Sequence, residues 1–292
     1  MRFNLSLALL FLTNLIHAQN ARDNAGVVSK KIDTIHSAIL NEDRYIWVHT
    51  PDKTATAGRY PVIYVLDGQI LFDDVNDILN RLSKETGKNV ANEMIVVGIG
   101  NIWQRYRDYS PTPITSSPWV DSHSASISGG GDKFISFLGN ELFPYIHSKY
   151  PDSSLRILIG HSMGGLQVMN ILLKHTAMFT YYAAIDPSMW WDDQKLLKES
   201  KTILAGEVFE NRTLFMAVAN TKELDMDVSQ IKKDTSTRTA LIRPGLALVE
   251  YIANNHQNKL RFDWKYYKAY HHMTVPAPAI YDALKFFINI SR

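Results

Sequence analysis

The hexapeptide Gly160–Gly165, which reads G-H-S-M-G-G, is the feature that most constrains this chain. It follows an apolar run, Leu155–Ile159, that predicts a buried strand, and it precedes apolar residues at helical spacing up to Leu173. A strand, a G-x-S-x-G turn and a helix together are typical of the nucleophile elbow of serine hydrolases. Because small residues flank the sharp turn, we predict that Ser162 is a nucleophile lifted above the edge of a sheet.

The backbone around this turn predicts an oxyanion site. The amide of Met163 would lie at a helix N-terminus, where an N–H group can stabilise negative charge. A second donor is expected from the loop after the third strand, where Gly68 follows Leu66 and Asp67. We therefore predict the backbone amides of Met163 and Gln69 as the oxyanion donors.

Apolar runs and helical periodicities alternate along the chain. Such alternation behind an antiparallel start predicts an α/β fold, a mostly parallel doubly wound sheet with helices on both faces. Residues 101–128 carry three prolines and no clear period, which predicts a long irregular insert. The predicted strands are Val27–Leu40, Arg44–Thr50, Pro61–Leu66, Met94–Ile99, Leu155–Ile159, Tyr181–Ile185, Thr213–Ala219 and Arg261–Tyr267. The predicted helices are Leu71–Leu82, Phe134–Tyr150, Leu166–Leu173, Asp192–Glu199, Leu241–Asn254 and Ile280–Ile290.

Composition excludes several classes of function. The chain has 292 residues, a formal net charge of +2 and no cysteine. The near balance of charge argues against nucleic-acid binding. Without cysteine the chain has no disulfide, thiol nucleophile or thiolate metal site, and the histidines show no H-E-x-x-H spacing, so we expect no metal.

The first 18 residues resemble a secretory signal peptide. Arg2 gives a positive start, an apolar stretch runs from Leu5 to Ile16, and Ala18 precedes Gln19 as a small residue at a cleavage point. The apolar stretch is shorter than the roughly 20 residues that a transmembrane helix needs. We therefore expect residues 1–18 to be removed and residues 19–292 to form one domain that is secreted or periplasmic, with no stable membrane insertion.

A general base and an acid are expected after Ser162 in the chain, in the order of an α/β-hydrolase triad. His272 follows the last predicted strand and could take the proton of Ser162, while the adjacent His271 would serve packing or substrate contact. Glu223 is the first carboxylate after the strand Thr213–Ala219 and is the predicted acid. The alternatives for the acid are Asp225, Asp227 and, after the sixth strand, Asp186.

The chain resembles the family known as Putative esterase, which includes siderophore esterases of the enterochelin type, esterase D and mycolyl transferases. The segments that carry the resemblance are Val62–Gly68, Arg107–Pro111, Gly130–Tyr150, Gly160–Gly165, Pro187–Trp191 and His272–Pro276. It implies an α/β-hydrolase fold and a serine carboxylesterase mechanism without metal or organic cofactor. The family's histidine turn maps to His272 with Thr274, and its acid maps to Glu223.

Aromatic and basic residues near the predicted site suggest a pocket for an acyl or aryl group. The residues are Trp103, Arg105 and Arg107 in the long insert and Trp190 and Trp191 after the sixth strand; core packing and structural ion pairs are the alternative. The expected function is hydrolysis of a small-molecule carboxylic ester. An acyltransferase using the same acyl-enzyme and an inert hydrolase scaffold used for binding are the other possibilities.

Overall fold

Eight strands form one mixed sheet in the computed structural model, which describes residues 30–51, 59–101, 103–255 and 258–290. The predicted signal peptide lies outside the described residues. The strands are β1 (Lys30–Ser37), β2 (Glu42–His49), β3 (Tyr60–Leu66), β4 (Ile95–Ile99), β5 (Asp152–His161), β6 (Tyr181–Ile185), β7 (Thr213–Asn220) and β8 (Arg261–His271).

The order across the sheet is β1-β2-β4-β3-β5-β6-β7-β8. β1 pairs with β2 and β2 with β4 in antiparallel registers, whereas every pairing from β4–β3 to β7–β8 is parallel. The carboxyl ends of six strands therefore meet at one edge, which is where open α/β sheets bind ligands. Antiparallel N-terminal strands beside a parallel sheet are what the sequence predicts.

The sheet is buried on both faces because side chains alternate along each central strand. On β3, Tyr64 and Leu66 enter one apolar layer, and Ile63 and Val65 enter the layer on the opposite face. All four side chains are fully buried. A strand covered on both sides reads as a continuous apolar run, which explains the V-I-Y-V-L sequence of β3.

Helices cover both faces of the sheet. Helices Gly68–Thr86 and Pro276–Ile290 pack together on one face. The other α-helices are Arg105–Tyr109, Ser122–Ser126, Gly131–Phe137, Phe143–Lys149, Met163–Lys174, Trp191–Gly206, Val228–Lys233 and Arg243–Ala253; Val90–Glu93 is a 3-10 helix and Leu138–Leu142 a π-helix. Within the described ranges, no helix is both long and apolar enough to cross a bilayer.

Two local features differ from the sequence predictions. The insert 101–128 is not wholly irregular, since it contains the short helices Arg105–Tyr109 and Ser122–Ser126. Each of these helices is five residues long, which is too short for a helical period to be detected in the sequence. At Trp191–Gly206, Asp192, Asp193 and Gln194 adopt left-handed φ values of 48°, 49° and 62°, so regular helix begins after them.

Candidate active site

Ser162 lies in the turn between β5 and the helix Met163–Lys174. Its φ of 61° and ψ of −119° place a non-glycine residue in a region that side chains rarely adopt. A Cβ at Gly160 would stand 2.4 Å from the carbonyl oxygen of Gly164, so only glycine fits this close approach. The turn is thus a strained elbow that presents the Ser162 hydroxyl at the carboxyl edge of the sheet.

His272 lies against Ser162 although 110 residues separate them. Its Nε2 is 3.0 Å from Ser162 Oγ, which is hydrogen-bond distance. His272 follows β8 in a turn that is closed by the amide of Thr274, which donates to the carbonyl of His271 at 2.9 Å. The imidazole is therefore placed to accept the proton of the Ser162 hydroxyl.

The carboxylate beside His272 belongs to Asp186. Its Oδ2 is 2.6 Å from His272 Nδ1, and its Oδ1 accepts the amide of Ala219 at 2.9 Å. Asp186 follows β6 directly and has a φ of 42°. Its own amide donates to the carbonyl of Ala217 at 2.9 Å. The carboxylate is thus fixed by β7 on one side and can hold the Nδ1–H tautomer of His272 on the other.

The structure corrects the expected partner of His272 from Glu223 to Asp186. Glu223 is exposed and pairs with Arg238 at 3.3 Å, in a loop that extends beyond the end of β7. Asp225 also pairs with Arg238, at 2.7 Å, and the hydrogen bond lowers the pKa of Asp225. Asp227 caps the helix Val228–Lys233 through the amide of Gln230. These three carboxylates therefore have structural partners of their own.

The predicted oxyanion donors lie at the N-termini of two helices. Met163 is the first residue of Met163–Lys174, and Gln69 is the second residue of Gly68–Thr86. The amides of a first helical turn have no intrahelical acceptor and can bind negative charge. A Cβ at Gly164 would lie 3.5 Å from Asp67 Oδ2, so the two helix starts are neighbours.

The Gln69 side chain fixes the start of its helix. Its Oε1 accepts the amide of Asn101 at 3.1 Å, and its Nε2 donates to the carbonyl of Asn101 at 3.4 Å. A Cβ at Gly68 would stand 2.5 Å from the Gly98 backbone, so the helix start and β4 approach as closely as the backbone allows. The amide of Gln69 is consequently held in a rigid position.

A cavity of about 540 Å3 opens at Ser162, Asp186 and His272. Its walls combine apolar and aromatic side chains with two cationic ones. The apolar lining residues are Tyr106, Trp190, Leu241, Ile242 and Met273, and the cationic ones are Lys222 and Arg238. His271 also lines the cavity, and its Nδ1 accepts the amide of Met273 at 3.2 Å.

Of the five residues predicted to bind substrate, Trp190 lines the cavity. Trp191 is 1% exposed, and its indole N–H donates to the carbonyl of Thr112 at 2.9 Å. Trp103 is 82% exposed and projects from the surface of the insert. The structure therefore corrects the expectation for Trp191, which is a core residue; nothing in the contacts of Trp103 places it in the cavity.

The two predicted substrate arginines form ion pairs within the protein. Arg105 donates through Nε to both oxygens of Asp67 at 3.0 Å and through Nη2 to the carbonyl of His161 at 3.0 Å. Arg107 pairs with Glu42 at 2.7 Å and with the buried Asp108 at 2.7 Å. Both guanidinium groups are thus used structurally, which is the alternative that the sequence left open.

The sequence favours Glu223 over Asp186 because nothing local distinguishes Asp186. A single acid after a strand is common, whereas Glu223, Asp225 and Asp227 form a conspicuous group. The useful signal is position, since Asp186 is the first residue after β6 and β6 pairs directly with β5. The amide of Ser162 donates to the carbonyl of Ile185 at 3.0 Å, which puts the next residue beside the elbow.

No group of three or more His, Asp or Glu side chains within the described ranges is arranged to hold a metal ion. The functional groups gathered at the cavity include the hydroxyl of Ser162, the imidazole of His272 and the carboxylate of Asp186. A hydroxyl hydrogen-bonded to an imidazole that is oriented by a carboxylate can act as a nucleophile towards a carbonyl carbon.

The sheet order, the elbow and the placement of Ser162 and His272 after β5 and β8 define an α/β-hydrolase fold. The model of the family Putative esterase matches residues 37–274. The chain therefore belongs to this esterase family.

Individual relatives share part of the sequence and most of the fold. The siderophore triacetylfusarinine C esterase of Aspergillus fumigatus is 31% identical over 165 residues, 54% of each chain. The ferri-bacillibactin esterase BesA of Bacillus subtilis is 30% identical over 171 residues, which are 55% of this chain and 59% of BesA. The crystal structure of an IroE-like serine hydrolase from Shewanella oneidensis superposes with a TM-score of 0.78 at 28% identity, covering 89% of this chain and 80% of the other. The matched region thus spans a little over half the length of these two curated relatives.

Proposed function

We propose that this protein is a serine esterase that hydrolyses a small-molecule carboxylic ester through Ser162, His272 and Asp186. The observation that carries the proposal is the continuous hydrogen-bonded array, with 3.0 Å between Ser162 Oγ and His272 Nε2 and 2.6 Å between His272 Nδ1 and Asp186 Oδ2. Membership of an esterase family supports the reaction class. Asp186 takes the role that the sequence assigned to Glu223.

The reaction proceeds in two halves on this array. Ser162 Oγ attacks the ester carbonyl carbon while His272 Nε2 takes the hydroxyl proton, and the amides of Met163 and Gln69 stabilise the oxyanion. The bond to the leaving alcohol then breaks, and His272 returns the proton to the alcohol oxygen. In the second half, His272 takes a proton from water, whose oxygen attacks the carbonyl carbon of the acyl-enzyme. The bond from that carbon to Ser162 Oγ then breaks, His272 returns the proton to Ser162 Oγ, and the carboxylic acid is released.

Asp186 acts on the ring rather than on the substrate. Its carboxylate accepts the Nδ1–H bond, which leaves Nε2 free to accept the proton of Ser162. As His272 becomes an imidazolium in the transition state, the adjacent negative charge stabilises it. The hydrogen bond from the Ala219 amide keeps Asp186 Oδ2 directed at the ring.

The cavity favours an ester with an aromatic or apolar body and a polar or anionic periphery. Trp190 and Tyr106 offer flat apolar surfaces, and Lys222 offers an ammonium group in the wall of the same cavity. One relative is named as a siderophore triacetylfusarinine C esterase and the other as a ferri-bacillibactin esterase. We propose a siderophore-type ester as the first substrate to test; a feruloyl or acetyl sugar ester is the alternative.

The test is covalent labelling with a fluorophosphonate followed by a panel of esters. We expect the wild-type protein to be labelled and to hydrolyse at least one ester, and Ser162→Ala to lose both properties by several orders of magnitude. Labelling that persists in Ser162→Ala would overturn the assignment of the nucleophile. Transfer to an added alcohol in preference to water would identify an acyltransferase, and a wild-type protein inert to the probe and to every ester would indicate a binding scaffold.

We also propose that the protein is exported with residues 1–18 removed. The proposal is supported by the positive start, the apolar stretch and the small residue Ala18 before Gln19. N-terminal sequencing of protein from the periplasm or medium should begin near Gln19. Protein that retains Met1 and fractionates with the cytoplasm would contradict export and leave the esterase proposal intact.

A further inference from the structure

His161, the residue before the nucleophile, contacts the histidine that follows β8. Its Nε2 is 2.9 Å from the backbone carbonyl oxygen of His272. The two imidazole rings also pack together, with centroids 4.5 Å apart and planes inclined at 38°. His161 therefore touches His272 at two places, the main chain and the ring, and neither contact involves Ser162 or Asp186.

The hydrogen bond to a carbonyl defines the protonation of His161. A carbonyl oxygen only accepts, so Nε2 of His161 carries the hydrogen. Burial of the ring, together with the neighbouring His272, lowers the pKa of His161 to about 3. The ring is thus a neutral Nε2–H tautomer at ordinary pH, and it adds no positive charge beside an imidazole that must itself become cationic.

His161 is in turn anchored to the start of another helix. Arg105 donates through Nη2 to the carbonyl of His161 at 3.0 Å and through Nε to Asp67 at 3.0 Å. Asp67 directly precedes the helix Gly68–Thr86. The contact with His272 is therefore made from a rigid part of the molecule, not from a loop.

The hydrogen bonds of His272 to Ser162 and Asp186 hold its ring, whereas the bond from His161 holds its main chain. The side chain is 45% exposed, and it is held at its two ring nitrogens by Ser162 and Asp186. The turn after β8 is tied to itself through His271 and Thr274. The bond from His161 joins the backbone of this turn to β5, and hence to the strand that carries the nucleophile.

We propose that His161 is a positioning residue for the general base: its N–H bond to the His272 carbonyl and its ring contact hold Nε2 of His272 at attack distance from Ser162 Oγ. The inference rests on the proposed esterase function. A displacement of about 1 Å in such a contact can cost up to about a hundredfold in rate.

The test compares variants that keep or remove the donor at position 161. His161→Gln keeps an N–H group at a similar reach, whereas His161→Phe and His161→Leu remove it; Phe keeps a ring and Leu does not. Fluorophosphonate titration counts the competent sites, so that kcat is expressed per active site and misfolded protein is discounted. Thermal melting monitored by circular dichroism identifies any variant that fails to fold.

We expect kcat per active site to fall about tenfold in His161→Phe and more in His161→Leu, with KM within about twofold of the wild-type value, because only the transition state uses the aligned base. His161→Gln should recover most of the loss. The proposal would be overturned if His161→Phe and His161→Leu kept the wild-type kcat, or if His161→Gln were as slow as His161→Leu. Either result would leave the esterase function standing, provided that the wild-type protein is active. A wild-type protein without esterase activity would overturn both.

Discussion

Asp186 and His272 share a 2.6 Å contact across 86 residues of sequence, and the carboxylate that makes it follows β6 rather than β7. β6 lies between β5, which ends at the elbow, and β7, which supplies the Ala219 amide to the same carboxylate. An acid in this position reaches His272 from the strand next to the one that leads into Ser162. The carboxylates after β7 are then left to pair with Arg238 and to cap a helix.

Replacing Asp186 by Asn should lower kcat by about three to four orders of magnitude with little change in KM, because the amide favours the wrong tautomer of His272 and no longer stabilises its cation. The matched control is Glu223→Gln, which removes an exposed carboxylate outside the array and should retain wild-type kcat. Steady-state kinetics on one ester measures both. The opposite ranking of the two variants would return the role of the acid to Glu223.

Substitutions at the two adjacent tryptophans should have different effects, on substrate binding at Trp190 and on protein stability at Trp191. Trp190→Ala removes an apolar wall of the cavity and should raise KM about tenfold, which corresponds to about 1.4 kcal/mol of lost contact. Trp191→Ala leaves a void in the core and breaks the bond to Thr112, and should lower the free energy of unfolding by about 3–5 kcal/mol. Urea denaturation and Michaelis kinetics on both variants check this. A Trp190→Ala enzyme with unchanged KM would remove Trp190 from the substrate site.

The sequence predicts the sheet well because buried parallel strands are continuous apolar runs that few other structures explain. The elbow can also be predicted from the sequence, since Gly160 and Gly164 are needed where backbones touch. The carboxylate partner of His272 cannot be predicted in the same way, because the contact of Asp186 with His272 depends on the order of the strands across the sheet. The roles of Arg105 and Trp191 could not be predicted from the sequence either, because both depend on partners that are distant in sequence. Arg105 pairs with Asp67, and the indole of Trp191 donates to the carbonyl of Thr112.

The ion pair between Arg105 and Asp67 should be sensitive to removal of one partner. Asp67 is 4% exposed at its side chain, and burial raises its pKa although Arg105 acts in the opposite direction. Arg105→Met leaves this carboxylate buried without its cation and should lower the free energy of unfolding by about 3–5 kcal/mol at neutral pH. The double variant Arg105→Met/Asp67→Asn should recover part of the loss.

The pH dependence of the Arg105→Met variant follows from the sign of the shift. A carboxyl whose pKa is higher in the folded state binds its proton more readily when folded, so stability lost at neutral pH returns as the pH falls. Urea denaturation at pH 8 and pH 5 should therefore show a smaller deficit at pH 5. An equal deficit at both values would mean that Asp67 is not the source of the loss.

The buried neutral state of His161 should make stability fall in acid. The pKa of His161 is lowered from 6.5 to about 3 on folding, so between these values the unfolded chain binds a proton that the folded chain does not. Above pH 6.5 the contribution of His161 to the free energy of unfolding has its full value, and this contribution is lost as the pH falls towards 3. The free energy of unfolding should fall by at most about 1.4 kcal/mol per pH unit from this cause. His161→Gln cannot take up the proton, so its stability should decline less steeply from pH 7 to pH 4. Urea denaturation of both proteins across that range gives the difference directly, because carboxylates titrate equally in the two. If the free energies of unfolding of the two proteins declined in parallel, the pKa of His161 would not be lowered on folding. The His161 ring would then be protonated in the folded protein at acidic pH, which would contradict the role of His161 as a neutral donor.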